Sequence, residues 1–233
     1  MLRVAEYAEL YTALLDRGLR LVNDPVAYRV CHHLPDSYPF ITGVTPRTVW
    51  LPIEHGSSPE QIGGALQSLN ARSAIVKDYV KSQKHYWAEA CFIPDTADRE
   101  HAHDVIRRFL DLQGDSLAGG LVFREYVPLK PIGHHTQSGM PVALEYRTFV
   151  VDGRPTAPAP YWDGVEYPGT TPDLAALASV LQAVPSRFFS ADFAYTEDGH
   201  WLVVELGDGQ VAGLPASSSP ADLFAAVRVL DQP

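Results

Sequence analysis

Two strand-like runs, Phe188 to Thr196 and His200 to Leu206, stand on either side of Glu197-Asp198-Gly199 and commit this part of the chain to an antiparallel hairpin. An Asp-Gly dipeptide between such runs predicts a two-residue turn, because both of its central residues take positive φ. Pairing Glu197 with His200 then sets Asp192 opposite Glu205. Directly opposed residues on antiparallel strands project from one face with β-carbons about 5 Å apart, where two carboxylates repel each other. Hydration at a solvent-facing edge or a bound divalent cation relieves that repulsion. Phe188, Phe189, Phe193, Val203 and Val204 surround the pair and favour the cation. Asp208, just past the strand end, offers a third hard oxygen, and such oxygens suit Mg²⁺ held jointly with phosphates.

Apolar residues make up 46% of the 233 positions and charged residues 20%, which excludes disorder as the main state and allows one complicated domain or two small ones sharing a cleft. Lys and Arg total 18 against 28 Asp and Glu, so the formal charge of −10 argues against a nucleic-acid partner. A single nucleotide stays open, since two or three local cations hold a triphosphate whatever the net charge. Cys31 and Cys91 are too few for a disulfide framework. Met1-Leu2-Arg3-Val4-Ala5-Glu6 meets an acid too early for a signal segment, and no run approaches the ~20 apolar residues of a membrane helix, so a cytoplasmic protein with no membrane role is expected.

Periodicity predicts an opening helix from Val4 with Gly18 as its stop, then a short strand over 19–22. From Asn23 to Gly56 the prolines at 25, 35, 39, 46 and 52 predict irregular connections. Ser58, Pro59 and Gln61 form a helix start, with Ile62, Leu66 and Leu69 inward and Gly63 and Gly64 weakening the helix. Strands are expected over 73–80, 121–127 and 144–151, and helices over 98–112, 172–184 and 220–230. Asp152-Gly153 predicts a second tight hairpin, whose return carries Pro155, Pro158 and Pro160 and must lie at a sheet edge. No internal repeat is visible.

Lys77, Arg124 and Arg147 each fall in the middle of a predicted strand. A mid-strand lysine is costly unless it snorkels, guards an edge or meets an anion such as phosphate. Glu125 and Glu145 offer the arginines structural ion pairs instead. Lys81 and Lys84 follow Lys77 in a polar loop that can close over phosphates, although the glycine spacing of a phosphate-cradling loop is missing. His32-His33, His134-His135 and the His101, His103 pair lack the spacing of a shared metal site, and Cys31 has no orienting group that would make it a nucleophile. No Gly-x-Ser-x-Gly elbow is present.

The order strand lysine, Arg-Glu-Tyr-Val (124–127), Glu-Tyr-Arg-x-Phe-Val-Val-Asp-Gly (145–153), Ala-Asp-Phe (191–193) and Val-Val-Glu-Leu-Gly-Asp-Gly-Gln (203–210) resembles the ATP-grasp superfamily, within it the short clade named for two arginines and a lysine. The resemblance runs from about Leu21 onward. It implies an α+β fold in which two α+β subdomains enclose a nucleotide cleft: a shortened N-terminal part (1–56), a lid subdomain (57–123) and a C-terminal catalytic subdomain (124–233). By position it implies that Lys77 contacts ATP phosphates, that Glu125, Tyr126 and Val127 form the hinge beside adenine, and that Arg124 and Arg147 serve catalysis. It further implies Mg²⁺ on Asp192 and Glu205. Where the family has Glu-x-Asn, this chain has Glu205-Leu206-Gly207, so a third ligand falls to Asp208 or water. Lys81 to Trp87 stands in place of a glycine-rich lid loop. The implied activity joins a small-molecule or peptide carboxylate to an amine through an acyl-phosphate, using ATP and Mg²⁺. The alternatives are a nucleotide-binding module without turnover and a phosphotransferase.

Overall fold

The structure, a computed structural model, describes residues 2–53, 58–134 and 141–231, so His135 and the expected boundary at residues 56 and 57 lie outside it. The chain forms two units, one of Met1–Thr45 with Pro128–Pro233 and the other of Pro46–Val127. These divisions do not coincide with limits at 56 and 123, since the first 45 residues fold with the C-terminal part. Among the described residues no helix is long and apolar enough to cross a membrane.

Helix α1 (Val4–Leu15) ends at Gly18, whose φ of 75° lets the Leu19 N–H return to the Leu14 carbonyl at 2.9 Å. Residues 19–22 form no strand; the Val22 N–H donates instead to Gln210 Oε1 at 2.9 Å. The stretch expected to be irregular holds α2 (Pro25–His32), α3 (Leu34–Ile41) and strand β1 (Thr48–Pro52). Pro25 and Pro35 sit in first turns, where a missing N–H removes no helical bond. Asp24 completes the start of α2 by accepting from the Ala27 N–H at 2.8 Å.

In the second unit, α4 (Pro59–Leu69) opens on the expected reciprocal cap between Ser58 and Gln61. Then come β2 (Ala74–Lys77), α5 (Trp87–Ala90), β3 (Phe92–Ile93), α6 (Arg99–Gln113) and β4 (Gly120–Glu125). The sheet order is β1-β4-β2-β3, with antiparallel pairing throughout. Ala74, Val76, Leu121 and Phe123 bury one face against α4 and α6, chiefly Leu66, Leu69, Ile106 and Phe109. Period-two alternation therefore sends Lys77 and Arg124 to the other face. β2 stops short of the expected Val80 because Asp78 turns the chain: its carboxylate accepts from the Val80, Lys81 and Ala118 N–H groups and from Gln113 Nε2.

The first unit resumes with the two-stranded pair β5 (Pro131–His134) and β6 (Pro141–Ala143). β7 (Glu145–Val151) turns through Asp152 and Gly153, both at positive φ, into β8 (Arg154–Pro155), and β9 (Ala159–Pro160) also pairs with β7. The prolines thus occupy the sheet margin, as expected. α7 (Ala178–Ala183) begins later than Pro172, because the Asp173 carboxylate takes the Ala175 and Ala176 N–H groups in a turn. β10 (Phe188–Tyr195), β11 (Trp201–Asp208) and α8 (Pro220–Val227) follow, and the main sheet runs β11-β10-β7-β8. Leu223 and Val227 of α8 cover Phe149, Val151 and Phe188 on one face, while α2 and α3 pack along β11.

Candidate active site

The hairpin of β10 and β11 sets Asp192 opposite Glu205, as expected, but by a different route. Tyr195 pairs with Trp201, so the loop is longer than a two-residue turn; the Thr196 N–H donates to the His200 carbonyl at 2.8 Å, and Gly199 takes the positive φ of 93°. A bulge then adds Val204 between Phe193↔Val203 and Asp192↔Glu205. The longer loop shifts the register by one residue, and the bulge shifts it back.

On the other side of β10, Asp192 stands opposite Arg147 of β7. Arg147 Nε and Nη2 donate to the two Asp192 carboxylate oxygens, each at 2.7 Å, and Nη1 donates to the Gly213 carbonyl at 2.9 Å. The Tyr161 ring lies 4.8 Å from the guanidinium carbon. Burial opposes the Arg147 charge, yet the hydrogen bonds and charge of Asp192 hold that guanidinium above its ordinary value. Burial pushes the Asp192 carboxyl up, and Arg147 pulls it back. Arg147 thus finds its carboxylate across the sheet rather than at Glu145, and Arg124's sequence neighbour Glu125 pairs with Arg47 at 2.8 Å. Arg147, Asp192 and Glu205 form one row on one face. Phe149, Ser190 and Gly207 form the next row of that face.

Asp208 lies elsewhere. It pairs with Phe189, on the opposite face of the sheet from Glu205, and is 1% exposed. Its carboxylate accepts from Asn23 Nδ2 at 2.6 Å and from the Gln210 N–H at 3.0 Å. Gln210 Nε2 also donates to the Tyr7 hydroxyl, which in turn donates to the Asn23 carbonyl. Sequence reasoning misses Asn23 and Gln210 as partners; the only trace is a buried-type carboxylate beside glycines, which names no partner.

Among the described residues no group of three His, Cys, Asp or Glu side chains converges to hold a metal ion. The chemistry of the donors nevertheless fits Mg²⁺. Asp192 and Glu205 are hard oxygen ligands on one face, a carboxylate has lone pairs beyond the two that Arg147 uses, and Mg²⁺ is commonly held by one or two carboxylates with phosphate and water completing its shell. Gly207 narrows the neighbouring position, where a Cβ would fall 2.8 Å from Ser190 Oγ. Cys31 is 1% exposed, and burial pushes its thiol up to about 12, which disfavours the thiolate a nucleophile needs.

In the second unit, the face opposite the helices carries two rows. One runs Phe92, Ile75, Arg124, Thr48 and the other Lys77, Val122, Trp50. Lys77 and Arg124 are 9% and 7% exposed, so both charges are held where water is scarce. Tyr126 extends this face and meets the Phe92 ring edge-on at 4.8 Å, while Trp87 stacks on Phe92 at 5.2 Å. The Glu125 and Tyr126 N–H groups donate to the Arg47 and Ser73 carbonyls.

The fold and this arrangement define an ATP-grasp protein. Residues 65–227, well over half the chain, match the model of an ATP-grasp domain family, the third of the clade named for two arginines and a lysine, and the chain belongs to that family. Among curated proteins the sequence has no match. Three solved structures illustrate its likeness in fold. A RimK domain protein ATP-grasp from Sphaerobacter thermophilus DSM 20745 is 16% identical with a TM-score of 0.62, over 97% of this chain and 76% of that one. The ATP-grasp ligase PsnB, complexed with minimal precursor, Mg and ADP, is 16% identical with a TM-score of 0.56, over 97% and 67%. C-terminally truncated Cdc123 from Schizosaccharomyces pombe is 15% identical with a TM-score of 0.57, over 86% and 92%.

Proposed function

We propose that this chain is an ATP- and Mg²⁺-dependent ligase that joins a small-molecule or peptide carboxylate to an amine. The observation that carries the reading is the Arg147–Asp192–Glu205 row, a buried bidentate ion pair beside an exposed carboxylate on one sheet face. Membership of the ATP-grasp family supports it.

In this reading Lys77 and Arg124 meet phosphate oxygens, and Glu125, Tyr126 and Val127 form the edge beside adenine. Asp192 and Glu205 hold Mg²⁺, with the Ser190 hydroxyl rather than Asp208 as the additional oxygen on that face. When bound, Mg²⁺ offsets charge on the phosphoryl oxygens. A substrate carboxylate oxygen attacks the γ-phosphorus, the bond to the β-phosphate oxygen breaks, and ADP leaves. The amine nitrogen then attacks the acyl carbon, phosphate departs with the bonding pair, and the surplus amine proton passes to solvent. Arg147, anchored by Asp192 and Gly213, orients the anionic groups of acid and phosphate. Such catalysis rests on positioning and electrostatics, so it needs no Ser-His or Cys-His pair.

The test is ADP release by the purified chain, screened over acids and amines, with the product mass determined. Release that requires both substrates and yields an amide supports the ligase. One observation favours a second reading, a nucleotide-binding module without turnover: glycine stands at position 207, and among the described residues no third carboxylate joins Asp192 and Glu205. Mg²⁺-dependent binding of a non-hydrolysable ATP analogue, weakened by Lys77→Ala, without ADP release under any substrate pair, would select that module.

A further inference from the structure

The end of α4, the loop after it and the segment entering α6 border an open surface cavity of about 470 Å³, with Arg72 and Arg99 exposed at its wall. Gly63, Gln67, Asn70, Arg72, Thr96 and Arg99 line it, and no carboxylate does. Among the described residues neither Arg72 nor Arg99 makes an ion pair or a side-chain hydrogen bond. In a chain with 28 acids and 18 bases, a cavity lined by two arginines and no carboxylate stands apart from the overall charge. Of the acids near them in sequence, Asp95 accepts from the Ala97 N–H and Asp98 caps α6 at the His101 N–H, while Glu100 is exposed in the first turn of α6 and does not line the cavity.

The frame is fixed before any ligand arrives. The Thr96 N–H donates to the Arg72 carbonyl at 2.9 Å and its hydroxyl to the Ala71 carbonyl at 2.5 Å. Asn70, at φ 50°, ends α4 in the left-handed region and turns the chain toward Arg72. The Arg99 guanidinium lies over α4 at Gly63, where a Cβ would stand 3.9 Å from the guanidinium carbon, in ordinary contact.

We infer that this cavity binds a small phosphate-bearing anion. Two guanidinium forks supply more donors than one carboxylate accepts, and their two charges match a phosphate dianion. The volume exceeds a bare phosphate and suits a small phosphomonoester. The site is built from the helix side of its sheet, whereas Lys77 and Arg124 face the other side, and it stands independently of the ligase reading. The second cavity of similar size is less suited, because its Arg187 is already paired with Asp152.

The test is amide NMR of the full chain titrated with inorganic phosphate, glycerol 3-phosphate and acetate. Saturable millimolar shifts at the Gly63, Arg72 and Ala97 amides are expected, stronger for glycerol 3-phosphate than for inorganic phosphate and weakest for acetate. Stronger binding of inorganic phosphate would identify the free ion as the source. Arg72→Gln and Arg99→Gln should each weaken binding about tenfold. Gly63→Leu, which fills the cavity from a helical position, should abolish it, and Lys77→Ala should leave it unchanged. Shifts that do not saturate, that survive both arginine changes, or that vanish in Lys77→Ala would overturn the assignment.

Discussion

Two buried aspartates on one hairpin, Asp192 and Asp208, are compensated in opposite ways. Asp192 meets a full positive charge in a bidentate pair with Arg147, and the row continues to an exposed Glu205. Asp208 meets the neutral amide of Asn23 and the Gln210 backbone, and Gln210 leads on to Tyr7, stacked on Tyr28 at 3.8 Å. A guanidinium cannot give up its proton, so its partner is favoured as an anion and keeps lone pairs for a ligand. Amide donors satisfy a carboxyl without adding charge, and this set seals Asp208 against α1. The first arrangement suits a site that takes up charge, and the second suits a joint between elements.

Breaking the charged arrangement has the largest expected effect. Arg147→Met leaves Asp192 buried without its counter-charge and should cost about 3–5 kcal/mol in urea unfolding. Adding Asp192→Leu should restore much of that loss, since the desolvated charge is gone. A loss below about 1 kcal/mol in the single variant would mean that Arg147 is not what compensates Asp192.

The amide arrangement should break more cheaply. Asn23→Ala removes Nδ2, which donates to Asp208 and to the Phe188 carbonyl, and Oδ1, which accepts from the Phe188 N–H and the Ser186 hydroxyl. A loss of about 2–3 kcal/mol is expected from the same urea measurement. A loss no larger than that of an exposed asparagine would transfer the role to Gln210.

Binding sharpens the contrast further. Asp192→Asn should weaken Mg²⁺-dependent binding of a non-hydrolysable ATP analogue about tenfold, or about 1.4 kcal/mol, whereas Asp208→Asn should stay within about twofold. Calorimetric titration with and without Mg²⁺ reads both. Equal losses in the two variants would return Asp208 to the metal site.

Much of this site is legible because strand periodicity is local. The mid-strand cations, the Asp152-Gly153 turn and the carboxylate opposite Glu205 follow from residue type and alternation. The pairing of Asp192 with Glu205 comes about through two compensating departures, a longer loop and a bulge at Val204, and a bulge has no reliable mark in a run of valines. The face of Asp208 does not depend on the bulge: it stands three positions after Glu205, so alternation alone puts the two carboxylates on opposite faces once β11 runs through Asp208, which a strand ending at Leu206 leaves out. Pro25 and Pro35 read as breaks although they start helices, because proline marks both a chain break and a first helical turn. Arg147 and Arg124 invite pairing with their neighbours Glu145 and Glu125. Glu125 is adjacent to Arg124 in the strand and so faces the opposite way; Glu145, two residues from Arg147, shares its face, yet the partner of Arg147 comes from 45 positions away across the sheet.

The smallest effect belongs to the exposed ion pair, which isolates burial as the variable. Arg187 Nε lies 2.9 Å from Asp152 Oδ1, with both side chains about half exposed. Hydrogen bonding to Arg187 holds the Asp152 carboxyl below its ordinary value. A lowered carboxyl contributes stability that is present above the unfolded value of 3.8 and is lost as pH falls through the folded one. Asp152→Asn is the cleaner variant, because asparagine tolerates the φ of 45° there and leaves the Arg187 bond to the Leu230 carbonyl in place. After solvent screening the expected cost is a few tenths of a kcal/mol at pH 7, fading toward zero near pH 3 and in 1 M salt. Unfolding midpoints at those conditions check it. Salt should move the loss in Arg147→Met much less, since a largely buried pair is screened little. If both losses fell together with salt, burial would not be what separates the two ion pairs.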